Sequence, residues 1–488
     1  MIKKMENVNT NQNELAISEG QYVVVLGREI ELCFNEFLVT MKRFCFDFDN
    51  YTLSDNLLFF NSKNSVSEIA GLMPLLGGTT KIYELLFDTT YDKFQKDTLR
   101  YVRDIAYNDR KNKESSRIDF GISSYDRKIT TLKTNQTGFS IKKDLKKSGI
   151  SARYNELKNE SEVPTIISSG QLMKGNSLEI GLFWQPRGVV VVGKMIASTN
   201  PRDWAERDFE KPAGDKVSGM LPPKLARIML NLSIGASTCH SDTSFCHSCE
   251  GRNPGEPNSE GSNSPLKTKN YPLKTLLVDP FCGSGNMLME AYELGLDFFG
   301  SDLSPRAVQD SIANIEWQAA RSKSDIKPTF DIVEADATGD KIVELLNCYI
   351  AKNNKTMKQY SNLLIVSEPY LGEPKKYTPN SNAVRGEYRK VKEIYLKFLE
   401  NMAKLQNCLI AESQNDNMTI KQSNNLITIC LVFPLVETID KGQFSLYKDS
   451  VDEIGKIGYT LLQSPLIYGR DYQVVKREIC LLQLSNHQ

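Results

Sequence analysis

From residue 271 onward, apolar strand-like segments alternate with amphipathic helical segments, and this alternation constrains the fold more than any other feature. The first unit is KTLLVDPFCGSGNMLMEAYELG, which gives a strand, a glycine turn and a helix. The second is DFFGSDLSPRAVQDSIANIEWQAA, and TFDIVEADAT then supplies a third strand with an acidic end. This rhythm predicts an α/β fold with a doubly wound parallel sheet, whose ligands bind at the carboxyl ends of the strands.

The alternation continues to the end of the chain. A fourth apolar strand occurs in NLLIVSEPYLG at 362–372, and a long helix with one apolar face is predicted over 384–405. NLITICLVFPL is a further strand, and a helical stretch follows near 449–462. The last segment is SPLIYGRDYQVVKREICLLQL, whose two strand-like runs predict a terminal hairpin.

Three carboxylates stand at or beside the ends of the first three strands of this region. Asp302 is placed to accept hydrogen bonds from both hydroxyls of a ribose, Asp336 to reach an adenine amino group, and Asp279 to meet a ligand ammonium. Gly283 and Gly285 let the backbone approach a ligand closely. Together they describe a nucleoside that carries a positively charged amino acid and no phosphate, which is S-adenosylmethionine. The alternative for each carboxylate is a helix cap or a turn residue.

The glycine turn differs from the one that binds a dinucleotide. In the GxGxxG pattern a third glycine would fall at position 288, where this chain has Leu288. That glycine is part of the pyrophosphate-binding fingerprint. A nicotinamide-dependent reductase is therefore disfavoured.

The region before the α/β half contains a strongly basic stretch. Residues 127–158 carry nine basic side chains and two acidic ones, whereas the whole chain has 60 of each sign. Such a run is often only a solvated helix face, but in a chain of zero net charge it is a local concentration that suits phosphate contacts. The RNA-binding candidates are Lys142, Lys143, Lys146, Lys147 and Arg153.

Several motifs resemble known families. DPFCGSG, GSDLSPRAVQDSIANI and a fourth-strand motif ending in Pro-Tyr resemble the class I methyltransferases that modify exocyclic amines of bases. MLPPKLARIMLNL, LGGTTKI and YVVVLGREIELCFNEF are similar to segments of the tRNA guanine-N2 methyltransferases that act on the guanosine at tRNA position ten. The resemblance implies a Rossmann-like seven-stranded methyltransferase domain, preceded by a ferredoxin-like domain and a THUMP-like RNA-binding domain, both α+β.

This resemblance sets the expected division of the chain. We expect a disordered tail at 1–20, a ferredoxin-like domain at 21–90, a THUMP-like domain at 91–175, a linker at 176–218, and the methyltransferase domain at 219–488. A disordered insert at 236–270 is expected within the last domain, because it is rich in Ser, Gly, Asn and Pro and almost lacks large apolar residues.

The same resemblance implies which residues hold the cofactor. These are Asp279, Phe281, Gly283, Gly285, Asp302, Leu303, Asp336 and Ala337.

The fourth strand departs from the family pattern. The family has Asp-Pro-Pro-Tyr, in which the first side chain and a following backbone carbonyl accept hydrogen bonds from the target amine and the ring stacks on the flipped base. Here Ser367 replaces Asp, Glu368 replaces the first Pro, and Pro369 and Tyr370 match. Our hypothesis is that Glu368 supplies the missing charge. The alternative is that Glu368 points to solvent and Tyr370 only packs.

The motifs therefore predict transfer of a methyl group to an exocyclic base amine. The resemblance to the tRNA guanine-N2 methyltransferases makes guanine N2 in tRNA the preferred target. A DNA methyltransferase acting on adenine N6 or cytosine N4 shares the same strand-end chemistry and is the first alternative. The second is a non-catalytic RNA-binding protein with a decayed site, which the departure at Ser367 and Glu368 would also explain.

The insert holds the Cys/His segment CHSDTSFCHSCEG, which has the residue types of a zinc site. A second ligand pair at the usual spacing is absent from the sequence, so we expect an incidental surface loop and no metal. The N-terminal residues lack the apolar core of a signal peptide, and no stretch approaches the roughly 18 apolar residues of a membrane span. We expect a cytoplasmic protein with no membrane partner and with reduced core thiols.

Overall fold

The computed structural model describes most of the chain. The described residues are 20–111, 117–125, 130–156, 177–214, 220–238, 275–322, 326–354, 360, 362–415, 427–440 and 442–485. The expected tail at 1–20 and insert at 236–270 lie almost wholly outside these ranges.

An eight-stranded sheet forms the N-terminal half. Its strands, in the order β2-β3-β1-β4-β8-β7-β5-β6, are β1 (Gln21–Leu26), β2 (Asp49–Ser54), β3 (Leu57–Asn61), β4 (Thr79–Thr90), β5 (Ile118–Ser124), β6 (Ala152–Asn155), β7 (Ser177–Gln185) and β8 (Val189–Ser198). Its helices are α1 (Ile30–Arg43), α2 (Val66–Gly71), α3 (Phe94–Lys111) and α4 (Thr131–Lys147).

Strands β7 and β8 change the expected division of this half. They lie within 176–218, where a linker was expected, yet β8 pairs with β4 and β7 pairs with β5. Residues 177–198 are therefore part of the sheet, and the connection to the second half begins after Ser198. Because β4 and β8 are neighbours, the segments expected as two domains share one continuous sheet. Both strands are recognisable in the sequence, but their long-range pairing has no local signal.

A second sheet forms the C-terminal half and has the predicted doubly wound architecture. Its main path is β11-β10-β9-β12-β13-β17-β15, which is the order 3-2-1-4-5-7-6 when these seven strands are counted along the chain. The first five are parallel, and β17 is antiparallel to both its neighbours. The strands are β9 (Thr275–Asp279), β10 (Asp297–Asp302), β11 (Phe330–Glu334), β12 (Asn362–Ser367), β13 (Ile427–Thr438), β14 (Gly442–Ser445), β15 (Tyr459–Leu461), β16 (Leu466–Tyr468) and β17 (Val475–Leu484).

Helices cover both faces of this sheet. They are α5 (Pro201–Ala205), α6 (Pro223–Thr238), α7 (Asn286–Leu294), α8 (Pro305–Arg321), α9 (Lys341–Asn354), α10 (Ser381–Asn415) and α11 (Leu446–Ile457). One apolar core includes residues of α6, α7 and α8 and continues into α1 of the N-terminal half. The other lies beneath α9, α10 and α11. The terminal hairpin is confirmed, since β16 pairs with β17. The helix predicted near 449–462 ends earlier, because Gly458 adopts a φ of +109° and β15 follows.

A buried polar contact joins the two halves. Glu36 of α1 is fully buried and accepts hydrogen bonds from the backbone N–H groups of Gly77 and Gly78, at 2.8 and 2.7 Å, and from the Asn231 side chain of α6 at 2.7 Å. A Cβ atom at Gly78 would lie 2.7 Å from the Cys33 sulfur, so this position needs glycine. The LGGTTKI motif therefore serves the contact between the N-terminal sheet and α6.

Two further structural expectations concern thiols and membranes. Cys33, Cys282, Cys430 and Cys480 are free and buried, as predicted for core thiols. Among the described helices, none combines the length and the apolar character needed to cross a bilayer.

Candidate active site

The glycine turn after β9 is open toward the carboxyl edge of the sheet. Gly283 and Gly285 have φ values of +53° and +82°, and α7 begins immediately afterwards at Asn286. A Cβ atom at Gly283 would meet nothing within 4 Å, whereas one at Gly285 would lie 2.8 Å from the Ser311 Oγ. Gly285 is therefore required by packing, whereas Gly283 borders open space.

Asp302 closes this turn from the neighbouring strand. Its carboxylate accepts hydrogen bonds from the N–H groups of Gly283, at 3.0 Å, and Ser304, at 2.9 Å. Leu303, next in the chain, is 69% exposed. Asp302 is thus both a turn residue and a half-buried carboxylate beside the free space at Gly283.

Asp336 lies at the end of the third strand of the C-terminal sheet and is exposed. One of its oxygens accepts hydrogen bonds from the N–H and the hydroxyl of Thr338, at 2.8 and 2.7 Å. Asp336 therefore acts as a turn residue, which was the alternative to a ligand-binding role. Its second oxygen accepts no hydrogen bond from the described residues. Ala337 is buried, and its carbonyl accepts a hydrogen bond from Asn401 of α10.

Phe281 connects the glycine turn to the opposite face of the sheet. Its ring is half-buried and packs edge-on against Phe398 of α10, with the ring centroids 5.3 Å apart. This contact gives the turn an apolar wall.

Asp279 and Ser367 meet at the centre of the site. The two side chains are buried, and the Ser367 hydroxyl donates a hydrogen bond of 2.6 Å to Asp279 Oδ1. Burial raises the pKa of Asp279 to about 7, and the nearby charges of Asp302 and Glu368 add to this effect. The Ser367 hydroxyl and the Phe281 N–H oppose it by hydrogen-bonding the carboxylate. Asp279 is therefore a buried carboxyl group that ionises near neutral pH.

Glu368 turns away from this pair toward β17. The Arg477 guanidinium contacts both of its carboxylate oxygens, one through Nε and one through Nη2, the latter at 3.0 Å. Both side chains are mostly buried. The charge of Glu368 thus has a partner within the protein. The sequence carries no local signal for this partner, because Arg477 lies 109 positions later in the chain.

Pro369 and Tyr370 complete the fourth-strand motif. Pro369 is buried, whereas Tyr370 is 48% exposed and its hydroxyl donates a hydrogen bond of 3.1 Å to Glu373. The loop is anchored by Tyr388 of α10, whose hydroxyl donates to the Leu371 carbonyl at 2.8 Å. The exposed ring of Tyr370 is thus part of an anchored loop that follows the carboxyl end of β12.

The candidate RNA-binding residues lie on a different part of the molecule. All five are exposed, four on the last turns of α4 and Arg153 on the following edge strand β6. Ile141 and Leu145 bury the opposite face of α4. We call the four residues Lys142, Lys143, Lys146 and Lys147 the α4 basic face.

We expected no metal site, and the structure tests this expectation only for the described residues. Within the described ranges, no group of His, Cys, Asp or Glu residues is arranged to hold a metal ion. The Cys/His segment of the insert falls outside those ranges.

No family model matches this chain, and no curated protein sequence matches it. Among solved structures it is similar to "a possible methylase" from Clostridium difficile 630, at 12% identity and a TM-score of 0.46 over 96% of this chain and 99% of that one. A predicted N6-adenine-specific DNA methylase from Listeria monocytogenes matches at 10% identity and a TM-score of 0.40, over 96% and 97%. The magnesium protoporphyrin IX methyltransferase of Synechocystis PCC 6803 with bound SAM matches at 14% and 0.24, over 43% and 71%.

Proposed function

We propose that this protein transfers a methyl group from S-adenosylmethionine to an exocyclic amine of an RNA base, with guanine N2 in tRNA as the preferred target. The observation that carries the proposal is the meeting of Asp279 with the Ser367–Tyr370 loop at the carboxyl edge of the C-terminal sheet, beside an open glycine turn. The main path of that sheet has seven strands, the number that the resemblance to class I methyltransferases implies.

The residues at the glycine turn fit the cofactor. Asp279 is buried with two neutral hydrogen-bond donors, Ser367 and the Phe281 N–H, so a ligand ammonium would supply the charge that this carboxylate lacks. Gly283 leaves space for the amino acid part, and Asp302 lies beside it for the ribose hydroxyls. Asp336 has an outward oxygen for the adenine amino group. The cofactor supplies a methyl group on a positively charged sulfur, which makes that carbon electrophilic.

The protein's own contribution is to hold the acceptor. An arylamine is a weak nucleophile because its lone pair is delocalised into the ring, so its orientation matters more than its binding strength. Tyr370 offers an exposed ring on which a flipped base stacks. Ser367, buried at the end of β12, would offer its oxygen to the amine protons once the base is bound. The anchored loop keeps both at fixed positions, so most of the rate enhancement comes from positioning and electrostatics.

The RNA part of the proposal depends on the α4 basic face and on the motif resemblance. Four exposed lysines within two helical turns suit contacts to a phosphate backbone. They are displayed on the sheet that Glu36 fixes to α6, so the binding surface and the candidate site belong to one connected structure.

The decisive experiment is transfer of tritium from labelled S-adenosylmethionine to an unmodified tRNA transcript, followed by nucleoside digestion. We expect the label in N2-methylguanosine. Label in N6-methyladenine or N4-methylcytosine of a DNA substrate, with none in RNA, would replace the proposal by DNA amine methylation. Binding of tRNA with no transfer to RNA or DNA would favour the non-catalytic alternative.

A further inference from the structure

Methyl transfer to an amine leaves a proton that must be removed. When the nitrogen lone pair forms the new N–C bond, the C–S bond breaks with its electron pair going to sulfur, and the nitrogen becomes positively charged. It returns to neutrality by losing a proton. The acceptor of that proton must lie within hydrogen-bond reach of the amine, directly or through one intervening group.

Glu368 is poorly placed to be this acceptor. Both of its carboxylate oxygens are already contacted by the Arg477 guanidinium. Accepting a proton there would break a largely buried ion pair and leave the arginine without its partner.

Asp279 is better placed, but it would reach the acceptor amine only through Ser367. Ile365 of β12 lies in register with Val278 of β9, so Ser367 and Asp279 both stand at the ends of neighbouring parallel strands. The Ser367 hydroxyl donates a hydrogen bond of 2.6 Å to Asp279 Oδ1, and both side chains are excluded from solvent. A serine whose proton is already committed presents only its lone pairs to another donor.

We propose that Ser367 and Asp279 form a proton relay that replaces the carboxylate of the Asp-Pro-Pro-Tyr pattern. The amine proton passes to Ser367 Oγ while the Ser367 proton passes to Asp279 Oδ1, so serine ends neutral and Asp279 ends protonated. This inference rests on the proposed function. Ser367 is the catalytic residue of the pair, and Asp279 acts through it.

The electrostatic surroundings of Asp279 suit this role. Burial together with Asp302 and Glu368 brings its pKa to about 7, so a proton is accepted at little cost near neutral pH. Among the described residues, Cys282 is a further titratable neighbour. Burial and the charge of Asp279 raise its pKa well above its usual value, so it stays a neutral thiol. A ligand ammonium beside Asp279 would lower this pKa and hold the carboxylate ionised before transfer, which is the form that accepts a proton.

The first test uses the protein without cofactor or RNA. Infrared difference spectra between pH 6 and pH 8 should show a protonated carboxyl band that titrates near pH 7 and is absent from Asp279→Asn. In Ser367→Ala the midpoint should move upward, because the hydroxyl that stabilises the carboxylate is lost. A matched control is Ser301→Ala, which removes another buried hydroxyl, one that donates to the Pro280 carbonyl. No titrating band, or a midpoint unmoved in Ser367→Ala, would overturn the relay.

The second test measures kcat on RNA as a function of pH. At saturating S-adenosylmethionine, Ser367→Ala should lower kcat by about 10²- to 10⁴-fold, and Ser301→Ala should not. Ser367→Asp should recover much of the loss, with the rising limb of the pH profile moved, because a carboxylate then contacts the amine directly. An active wild-type protein with an equally active Ser367→Ala would refute the relay alone. A wild-type protein that is inactive on every nucleic acid would refute the proposed function instead, whatever the infrared titration shows.

Discussion

The Arg477 guanidinium holds both carboxylate oxygens of Glu368, a residue 109 positions earlier in the chain. Glu368 follows β12 and Arg477 lies on β17, so the pair ties the candidate catalytic loop to the terminal hairpin across β13, where Arg477 is in register with Pro434. The carboxylate that looks, in sequence, like a free charge at the site is therefore part of the support of the loop.

Removing either partner should destabilise the protein more than it impairs chemistry. Glu368→Ala leaves the guanidinium largely buried without its partner, which costs about 3 kcal/mol of unfolding free energy. Glu368→Gln retains the shape and one acceptor, so we expect methyl transfer to fall by less than about tenfold. Urea unfolding and single-turnover labelling measure the two quantities.

The control for this pair is an exposed one. Asp340→Ala breaks the contact with Lys404, where both side chains are solvated, and should leave the urea unfolding midpoint close to that of the wild type. Complete loss of methyl transfer in a folded Glu368→Gln would show that the carboxylate acts in the chemistry and contradict the supporting role.

The architecture of the C-terminal half was predictable because its signals are local. Alternating strand and helix segments predict the parallel sheet, and the acidic residues at strand ends predict where side chains gather. The partners of those side chains were not predictable. Whether Ser367 bonds to Asp279, or Arg477 to Glu368, depends on strand order and register, which bring together residues 88 and 109 positions apart. For the same reason, the pairing of β7 with β5 and of β8 with β4 was not predictable from the sequence.

Tyr370 should contribute through its ring and little through its hydroxyl. Among the described residues, the hydroxyl bonds only to Glu373, while the half-exposed ring is free to stack on a base. Tyr370→Ala should therefore lose about 1 to 3 kcal/mol of transition-state stabilisation, roughly 5- to 150-fold in kcat/KM. Tyr370→Phe should keep kcat/KM within about threefold of the wild-type value.

Tyr377→Ala removes a more exposed ring seven positions later and serves as the control. Equal losses in the Phe and Ala variants would argue against stacking.

The α4 basic face should bind RNA through its charge. Replacing its four lysines with glutamine should weaken tRNA binding and reduce the slope of log K against log salt by up to about 3 to 4 units, since each lost phosphate contact removes about 0.7 to 0.9. Cofactor affinity should not change, because the face lies on the N-terminal half. Fluorescence anisotropy with labelled tRNA at several salt concentrations measures the slope.

The matched control replaces four exposed lysines on the helices α9, α10 and α11, namely Lys352, Lys390, Lys397 and Lys456. It removes the same charge from the C-terminal half. If both quadruple variants lost affinity equally, binding would depend on net charge and the α4 basic face would have no particular role.

Asp279 should make the stability of the cofactor-free protein depend on pH. The ordinary pKa of an aspartate side chain is 3.8, and that of Asp279 is raised to about 7 in the folded protein. A carboxyl group with a raised folded-state pKa favours folding in its protonated form, so its contribution is fully present below about pH 4 and is lost as the pH rises through about 7. Asp279→Asn keeps a neutral group of the same shape at every pH. We therefore expect the variant and the wild type to be equally stable near pH 4, and the variant to be more stable at pH 8.

Adding S-adenosylmethionine at pH 8 should raise the melting temperature of the wild type alone, since the ammonium of the cofactor needs the Asp279 carboxylate. A variant less stable than wild type at pH 8 without cofactor would show that Asp279 already has a cationic partner in the folded protein.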